Sequence, residues 1–462
     1  MQPKGGSTAG GRWSGPAGVG GTFAVVAVVT VVLSAAPSRD LSAAPDAAIP
    51  GTPRNWPRLR GADAAGQGGT RRFPASFGIT DIAWTADIPG AGHASPAVWE
   101  GKVYCATAMV DPADATRCVR RLLCHDAATG VLVWEKSLPG PVEEFNAMNS
   151  LASSSPVADA DGVYWLWGTR DNLRVEAFTH SGAPRWHAEL GPMNADHGFG
   201  GSPTLWRGLL VVPMEQDGPS AVVALDTATG REAWKLPRDT ARTAYSPALV
   251  LEEEGREAQL VLASMAHGLS GVDAATGRVL WERKCLPKRS VSCPVVVARD
   301  GEGRPIVVGT SGDGGGDNTL VAVRVPSGDA AEGAGAGAIE AEEVYTLDRS
   351  AAPYVPTPLP VGERLYLWGD RGVVTCVTAA TGEVRWRGRV GGTFSASPVA
   401  IGGAILNVSI DGEVVVLADG DAFEVLGRTD LGEECRASPA VADGRIYIRS
   451  VKRLRALSAL SQ

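Results

Sequence analysis

Ten residues near the middle of the chain decide its fold: Leu225-Asp226-Thr227-Ala228-Thr229-Gly230-Arg231-Glu232-Ala233-Trp234. Their internal spacing recurs, because a glycine precedes a tryptophan by four residues in five places. The other copies begin at His125-Asp126 with Trp134, Asp273 with Trp281 and Thr378 with Trp386, and a degraded copy joins Ser181-Gly182 to Trp186. Chance does not produce this spacing five times, so the sequence predicts internal repeats.

The chemistry of this repeat motif is structural. An aspartate at the end of a strand accepts hydrogen bonds from the backbone ahead of it, and the glycine supplies the positive φ of a tight reversal. The tryptophan then lies on the returning strand, where a large ring fills the gap between neighbouring sheets. We therefore expect these tryptophans to seal sheets together rather than to carry a cofactor.

A second marker fixes the number of repeats. A small residue followed by proline opens an apolar run in eight places, and each interval has room for four strands, with proline tolerated as the first strand residue. The pairs are Ser95-Pro96, Ser155-Pro156, Ser202-Pro203, Ser246-Pro247, Cys293-Pro294, Thr357-Pro358, Ser397-Pro398 and Ser438-Pro439.

The eighth repeat is one strand short, and the missing strand stands at the other end of the chain. The segment Asp81-Ile82-Ala83-Trp84-Thr85 precedes the first complete repeat and resembles the tryptophan-bearing fourth strand of a repeat. Pairing with the last repeat closes a ring and covers both sheet edges at the seam. The sequence thus predicts an all-β fold over residues 79–460, an eight-bladed β-propeller of four-stranded antiparallel blades closed by an N-terminal strand.

The start of the chain has the pattern of an export signal. A positive leader precedes the apolar run from Phe23 to Leu33, and Ser34-Ala35-Ala36 offers small residues for cleavage. Residues 1–36 are predicted to be a signal peptide or an uncleaved N-terminal anchor, and residues 37–78 a linker and N-terminal extension. We expect an exported protein, periplasmic or otherwise in the cell envelope.

The net charge of −8 argues against a nucleic-acid partner.

Two further groups of residues carry structural expectations. Seven cysteines are an odd number. Disulfides Cys105–Cys124 or Cys118–Cys124 are conceivable in an exported chain, but most of the thiols are expected to be small buried side chains. The basic cluster Arg449, Lys452, Arg453 and Arg455 is expected to occupy exposed positions of a final strand pair.

The repeat resembles that of the PQQ-repeat (quinoprotein-like) propellers over residues 55–458. The Asp-x-x-Thr-Gly-x-x-x-Trp spacing is the strong part of this resemblance, and the segments 55–61 and 92–96 resemble an exported bacterial subgroup. The family includes calcium-dependent quinoprotein dehydrogenases and the propeller lipoprotein of the outer-membrane β-barrel assembly machinery. The resemblance therefore implies the fold and leaves the function open.

The dehydrogenases of this family hold the quinone PQQ between a tryptophan and a vicinal disulfide, with calcium and an aspartate base nearby. This sequence has no adjacent cysteine pair and no Cys-x-x-Cys-His for haem. PQQ is consequently possible but unsupported by motifs. We predict no catalytic residue and no metal ligand, and expect that the protein is not an enzyme.

The rings, amides and charged side chains upstream of the eight small-residue–proline pairs are the candidate ligand-binding residues. These segments converge on one end of the central channel. The candidates are His93, Asn149, Asp196, His197, Tyr245, Arg289, Tyr354, Phe394 and Arg436. Asp196 and His197 with His93 could ligate a metal, although a solvated or hydrogen-bonded pair is the favoured interpretation. The Asp313-Gly-Gly-Gly-Asp317-Asn318 segment looks like a calcium loop but lacks a closing glutamate, so a hairpin turn of the fifth blade is favoured.

Two functions from different classes follow. The favoured one is an exported non-catalytic scaffold that binds a protein, peptide or glycan partner in the envelope, with membrane contact only through an N-terminal anchor. The alternative is a quinone-dependent oxidoreductase with a reduced site at the channel mouth. A role in envelope assembly is suggested by analogy alone, and the absence of a lipid-attachment cysteine in the leader argues against a direct equivalent.

Overall fold

The computed structural model describes residues 50–240, 242–314, 316–327 and 338–459 of the chain. Within them, 33 strands form eight separate sheets, and a single 3₁₀ turn spans Ile79–Asp81. No helix in these ranges has the length and apolar character needed to cross a membrane. The predicted signal or anchor at residues 1–36 lies outside the described residues.

Each sheet is one blade, numbered here in chain order. After β1 (Ile82–Asp87), blade 1 consists of β2 (Ala97–Trp99), β3 (Lys102–Asp111), β4 (Asp114–Asp126) and β5 (Leu132–Pro141). Blade 2 is β6 (Val157–Asp159), β7 (Gly162–Gly168), β8 (Leu173–Phe178) and β9 (Pro184–Gly191). Blade 3 is β10 (Thr204–Trp206), β11 (Leu209–Met214), β12 (Gly218–Asp226) and β13 (Glu232–Thr240). Blade 4 is β14 (Leu249–Leu251), β15 (Gln259–Ser264), β16 (Gly268–Asp273) and β17 (Val279–Arg283).

The remaining blades follow the same order, with one addition. Blade 5 is β18 (Val295–Arg299), β19 (Pro305–Ser311), β20 (Thr319–Arg324) and β22 (Glu342–Leu347), and β21 (Ile339–Glu340) adds a parallel fifth strand to β17 of blade 4. Blade 6 is β23 (Leu359–Val361), β24 (Arg364–Trp368), β25 (Val373–Thr378) and β26 (Val384–Arg389). Blade 7 is β27 (Val399–Ile401), β28 (Ala404–Val408), β29 (Glu413–Ala418) and β30 (Val425–Asp430). Blade 8 is β31 (Ala440–Ala442), β32 (Arg445–Arg449) and β33 (Arg453–Ser458), completed by β1.

The ring closes as the sequence predicts. Strand β1 pairs antiparallel with β33, with Trp84 opposite Ala456 and Asp87 opposite Arg453. The first and last parts of the propeller therefore share one sheet. The predicted eight-bladed, all-β fold is confirmed.

The repeat tryptophans join consecutive blades. Trp84 donates its indole N–H to the carbonyl of Ala127 at 3.0 Å, in the Asp-Thr-Gly turn of the next blade. The same docking recurs at Trp134, Trp186, Trp234 and Trp386, and at Tyr345 through its hydroxyl. Trp281 differs, since its N–H bonds Gln259 within its own blade. The structural interpretation of the tryptophans is therefore correct.

The small residue before each proline forms a second set of contacts between blades. At six junctions a backbone N–H of one inner strand donates to the hydroxyl of a neighbouring blade at 2.8–3.1 Å, as from Ser397 to Ser438 and from Ser438 to Ser95. Ser246 instead donates to the carbonyl of Ser292 at 2.8 Å. Between blades 3 and 4 the hydroxyl of Thr204 donates to the carbonyl of Ala248 at 2.9 Å, so buried side-chain bonds link all eight inner strands around the axis.

An N-terminal arm, residues 52–78, crosses the end of the axis where the inner strands finish. Trp56 exchanges two 2.8 Å backbone bonds with Val98, and Gly68 donates to the carbonyl of Ala400 at 2.7 Å. Further along, the N–H of Phe77 bonds the hydroxyl of Thr429 on the outer strand of blade 7. The arm therefore contacts the inner strands of several blades before its continuation, β1, completes blade 8.

Two arginines of the arm fill the axis. Arg60 is fully buried and donates to the carbonyls of Pro398 at 2.8 Å and Pro358 at 3.1 Å, as well as to two carbonyls of the arm itself. Arg58, 4% exposed, bonds the Thr204 hydroxyl and the Ala248 carbonyl. Burial lowers the pKa of Arg60 to about 10. The channel is thus closed from this end by charged side chains of the chain itself.

The cysteines and the C-terminal basic cluster are placed as follows. All seven cysteines are free, and six are buried. Neither conceivable disulfide forms, because Cys105 pairs with Leu123 and so points to the opposite face of the sheet from Cys124, while five strand residues separate Cys118 from Cys124. In the basic cluster, Lys452 and Arg453 are exposed, but Arg449 and Arg455 are buried.

The expectation of exposure was therefore wrong for two of the four basic residues. Arg455 bonds the carboxylate of Glu433 at 2.7 Å, and Arg449 bonds the carbonyl of Val451 at 3.0 Å. These acceptors take up donors of both buried guanidinium groups, although Nε of Arg449 has no hydrogen-bond partner among the described residues. A run of charges in the sequence does not reveal such burial.

Candidate functional site

The mouth face is defined here as the end of the ring where the eight inner strands begin. Loops that connect the outer strand of one blade to the inner strand of the next lie on it, and they carry the nine predicted ligand-binding residues. The arm occupies the other end of the axis. Any ligand of the axis therefore reaches it from the mouth face.

Arg289 forms the centre of the first group of residues on this face. Its side chain is 2% exposed, and Nε donates to the carbonyl of Thr243 at 3.1 Å. Nη1 lies 3.1 Å from Nε2 of His197, and Nη2 lies 3.7 Å from a carboxylate oxygen of Asp196. Among the described residues Nη2 has no hydrogen-bond partner.

The two rings beside Arg289 are held in fixed positions. Burial, reinforced by the charge of Arg289, lowers the pKa of His197, so this imidazole is neutral and accepts a hydrogen bond from the guanidinium. The ring of Tyr245 lies 5.9 Å from the guanidinium carbon of Arg289, and its hydroxyl donates to the carbonyl of Gly198 at 3.1 Å. Burial raises the pKa of Tyr245 to about 12. Both rings therefore stay uncharged at neutral pH.

Two more predicted residues belong to this group. Asn149 donates to the carbonyls of His197 at 2.9 Å and Phe199 at 3.1 Å, and so fixes the loop that carries His197. Tyr354 is coupled to Arg289, whose charge opposes the burial that raises the pKa of the phenol. The structure thus brings together six of the nine predicted residues, from loops far apart in the sequence.

The other three predicted residues lie elsewhere. Arg436 bonds Glu434 at 2.5 Å and contacts the sulfur of Met148 at 3.3 Å. His93 is near Arg436, and burial followed by that positive charge lowers the pKa of His93 to about 4. Phe394 is 2% exposed and packs edge-on against Trp368 with ring centres 5.2 Å apart. Its aromatic character contributes to the core.

The side chains considered as metal ligands interact with other residues of the protein. His197 bonds Arg289, and His93 belongs to the other group of residues. In the fifth blade, Asp313 and Asp317 both pair with the ammonium of Lys288, at 2.6 and 3.3 Å. Among the described residues no group of three or more His, Cys, Asp or Glu side chains is arranged to hold a metal ion.

Sequence reasoning missed a cleft on the mouth face between blades 1 and 2. It is lined by Arg120, Ser154, Trp165, Trp167, Phe145 and Phe199, with Glu143 and Glu144 also contributing. Arg120 is 1% exposed. One sequence signal existed. Along β4 every second residue points inward, namely Cys118, Arg120, Leu122 and Cys124, so a charged residue occupies an inward position.

The mouth does not fit the quinone arrangement of the family's dehydrogenases. No cysteines are adjacent, and all seven thiols are free. The repeat tryptophans are engaged between blades, or within its own blade in the case of Trp281, and so offer no stacking surface above the axis. The axis itself is filled by Arg58 and Arg60. We derive no quinone chemistry for this chain.

Comparison with known proteins agrees with the fold. A family model described as outer membrane protein assembly factor BamB matches residues 119–348 and 342–423. No curated protein sequence matches significantly.

Solved structures share low sequence identity with the chain. BamB from Moraxella catarrhalis is 15% identical, aligns over 82% of this chain and 99% of that chain, and gives a TM-score of 0.49. A europium-containing methanol dehydrogenase is 11% identical over 88% and 98%, with a TM-score of 0.48. The computationally designed Ika8 protein is 12% identical over 80% and 98%, with a TM-score of 0.51. At these identities the similarity concerns the fold alone.

Proposed function

The chain belongs to the family described as outer membrane protein assembly factor BamB, and from this premise we propose that it is an exported, non-catalytic scaffold. Its partner is a protein, peptide or glycan of the cell envelope, bound on the mouth face. The family also resembles propellers that carry a quinone, so membership alone does not choose between binding and catalysis.

The closed axis is the observation that carries this proposal. Arg58 and Arg60 occupy the axis with eight hydrogen bonds, four from each side chain. These side chains take up space along the axis that a deep enclosed pocket would need. Shallow surfaces on rigid scaffolds suit macromolecular or extended partners, whereas small substrates of enzymes are usually enclosed.

The residues at the mouth support a binding role. Arginine and tyrosine are enriched among the residues that dominate binding energy at interfaces. Arg289 and Tyr245 are such a pair, and their contacts to Thr243 and Gly198 hold them in place before a partner arrives. This pre-ordering reduces the conformational entropy lost on binding.

Capture of the partner tests the proposal. The wild-type protein, exposed to cross-linker in the native envelope, should repeatedly retain the same partner. Asp196→Arg reverses a charge that is 62% exposed beside Arg289, and should reduce this retention at least tenfold. Asp161→Arg reverses an exposed charge in the turn between β6 and β7, at the other end of the ring, and should retain the partner as the wild type does.

Two outcomes contradict the proposal. Equal retention by Asp196→Arg and wild type would show that the mouth is not the binding face. Absence of any reproducible partner, together with redox turnover by pure protein supplied with PQQ and calcium, would favour the oxidoreductase. We expect PQQ with calcium to produce neither a spectral change nor a thermal shift. The absence of a shift is informative, because a ligand at 100 times its Kd would stabilise the folded protein by about 2.7 kcal/mol.

A further inference from the structure

Arg120 differs from the other buried arginines of the protein. Arg60 donates four hydrogen bonds, and Arg238 pairs with the carboxylate of Glu215 at 2.9 Å and also contacts Ser270. Arg120 donates one, from Nη2 to the carbonyl of Pro141 at 3.2 Å. Its Nε and Nη1 have no hydrogen-bond partner among the described residues. Buried charges are normally paired, so this guanidinium lacks an acceptor.

The surroundings of Arg120 do not replace that acceptor. Its guanidinium carbon lies 5.3 Å from the ring centre of Trp167, a cation–π contact that leaves the in-plane N–H groups unused. No carboxylate of the described residues lies within salt-bridge distance of Arg120. Desolvation by burial is the largest cause of its lowered pKa, and Cys118 and Glu143 only partly oppose it.

Unused donors accumulate in the same cleft. The hydroxyl of Ser154 is buried without a hydrogen-bond partner among the described residues and lines the cleft with Arg120. The indole of Trp167, which also lines the cleft, interacts with the side chain of Glu176. The Ser154 hydroxyl and the unused nitrogens of Arg120 are all hydrogen-bond donors. Phe145 and Phe199 add apolar walls, and Phe145 is 41% exposed at the mouth face. The cleft thus combines several free donors, one positive charge and an aromatic surface.

We propose that this cleft binds a carboxylate carried on an apolar group, such as the α-carboxylate of a peptide chain end or of a free amino acid, with Arg120 as its anchor. A planar carboxylate accepts two hydrogen bonds from one guanidinium and so satisfies the unused donors. The attached apolar group packs against the aromatic walls. The inference rests on the proposed binding function and adds to it a site and a ligand class.

The two acidic residues of the cleft favour this ligand over a multiply charged anion. Glu143 and Glu144 line the cleft together with Arg120. Their negative charges disfavour a phosphate dianion more strongly than a single carboxylate, because the repulsion grows with the charge of the ligand. The same two residues attract the ammonium group of a free amino acid, which a chain end within a longer peptide does not offer.

The experiment uses the full-length protein and three probes: N-acetyl-phenylalanine, its carboxamide and free phenylalanine. Binding is followed by tryptophan fluorescence, because Trp165 and Trp167 line the cleft, and by calorimetric titration. The acetylated acid should bind at least tenfold more tightly than the carboxamide. Tighter binding of free phenylalanine than of the acetylated acid identifies a free amino acid as the ligand, and the reverse identifies a chain end. Equal binding of acid and carboxamide, or no binding, overturns the proposal.

Variants separate this site from a structural role of the arginine. Arg120→Met should bind the acid at least tenfold more weakly, yet unfold without ligand at the same or a higher temperature than wild type, since it removes an unpaired buried charge. The matched control is Arg185→Met, which removes an arginine stacked on Tyr164 of blade 2, outside the cleft, and should bind as wild type. A marked loss of stability in Arg120→Met with unchanged binding would overturn the proposal.

Two further results complete the test. Should Arg120→Met fail to fold, Ser154→Ala decides, because it removes one unused hydroxyl and should weaken acid binding several-fold. Partner capture by Asp196→Arg reports on the mouth as a whole. Normal acid binding without partner capture contradicts only the proposed function, and normal partner capture without acid binding contradicts only this inference.

Discussion

At the scale of single residues, five of the blade interfaces place one glycine against an aromatic ring of the preceding blade. Gly130 has φ of 74°, and a Cβ at this position would lie 2.4 Å from Cε3 of Trp84. Gly255 has nearly the same φ, 75°, with no atom within 4 Å of such a Cβ. The two glycines therefore separate the conformational requirement from the steric one.

Gly130→Ala should be clearly more destabilising than Gly255→Ala. The control substitution costs about 1–2 kcal/mol for the left-handed conformation. At Gly130 the clash with Trp84 adds about 1–3 kcal/mol, typical of overpacking. The free energy of unfolding in urea measures both. Equal losses would show that the tryptophan moves aside without cost and does not seal the interface.

A second residue-scale prediction concerns pH. Burial and the charge of Arg436 lower the pKa of His93 to about 4, so the folded state binds fewer protons than the unfolded state between that value and about 6.5. Stability is therefore complete above pH 6.5 and falls as the pH decreases towards 4, by up to about 3 kcal/mol.

Urea titrations at several pH values check this slope. His93→Gln should be less dependent on pH in the interval, whereas His187→Gln, at an exposed position of β9, should keep the wild-type dependence. An unchanged slope in His93→Gln would assign the acid sensitivity to another group.

At the scale of elements, the inner strands are held to one another by side chains, because they belong to separate sheets. Ser438 accepts the N–H of Ser397 at 2.8 Å, and its own N–H bonds Ser95 at 2.9 Å. Threonine occupies the equivalent place at residue 357 and performs the same task. A hydroxyl side chain occupies this position in seven of the eight blades, and Cys293 is the exception.

Ser438→Ala should lower the free energy of unfolding by about 1–3 kcal/mol, because the N–H of Ser397 stays buried without an acceptor. Ser438→Thr should keep most of the stability, and Ser181→Ala, at an exposed turn, should stay within about 0.5 kcal/mol of wild type. Urea unfolding of the three variants is the measurement. Equal stability of the alanine and threonine variants would mean that the ring of hydroxyls contributes nothing.

At the scale of the whole molecule, the arm and the ring stabilise each other. Arg60 bonds carbonyls of blades 6 and 7 at Pro358 and Pro398, while the arm continues into β1 of blade 8. The chain thus closes its ring at the rim and fills its axis with one continuous segment. Loss of the axial contacts should loosen the arm without opening the ring.

Arg60→Met should cost at least about 3 kcal/mol, because hydrogen bonds of a charged group are each worth about 1.5–3 kcal/mol and two axial carbonyls lose their donor. Arg72→Met, at an exposed position of the same arm, is the control and should be nearly neutral. Urea unfolding together with limited proteolysis at residues 52–78 measures the effect. Proteolysis of the arm at the wild-type rate in Arg60→Met would show that the backbone contacts alone hold it.

The sequence alone determined the repeat, the number of blades and their closure, because these features depend on local chemistry. The Asp-Thr-Gly turn and the tryptophan four residues after its glycine repeat the same short-range geometry in blade after blade, and Trp84 marks the missing strand. Even the gathering of polar loops at one end of the ring follows from this periodicity.

Only the tertiary structure decided which of those loop residues meet and which arginines are buried. Arg289 and His197 are 92 positions apart yet make contact, Phe394 turns into the core, and Arg60 reaches carbonyls about 300 positions away. Such contacts join different blades, and no local pattern encodes them. The unpaired state of Arg120 belongs here as well, since a missing acceptor becomes visible only when all neighbours from two blades are in place.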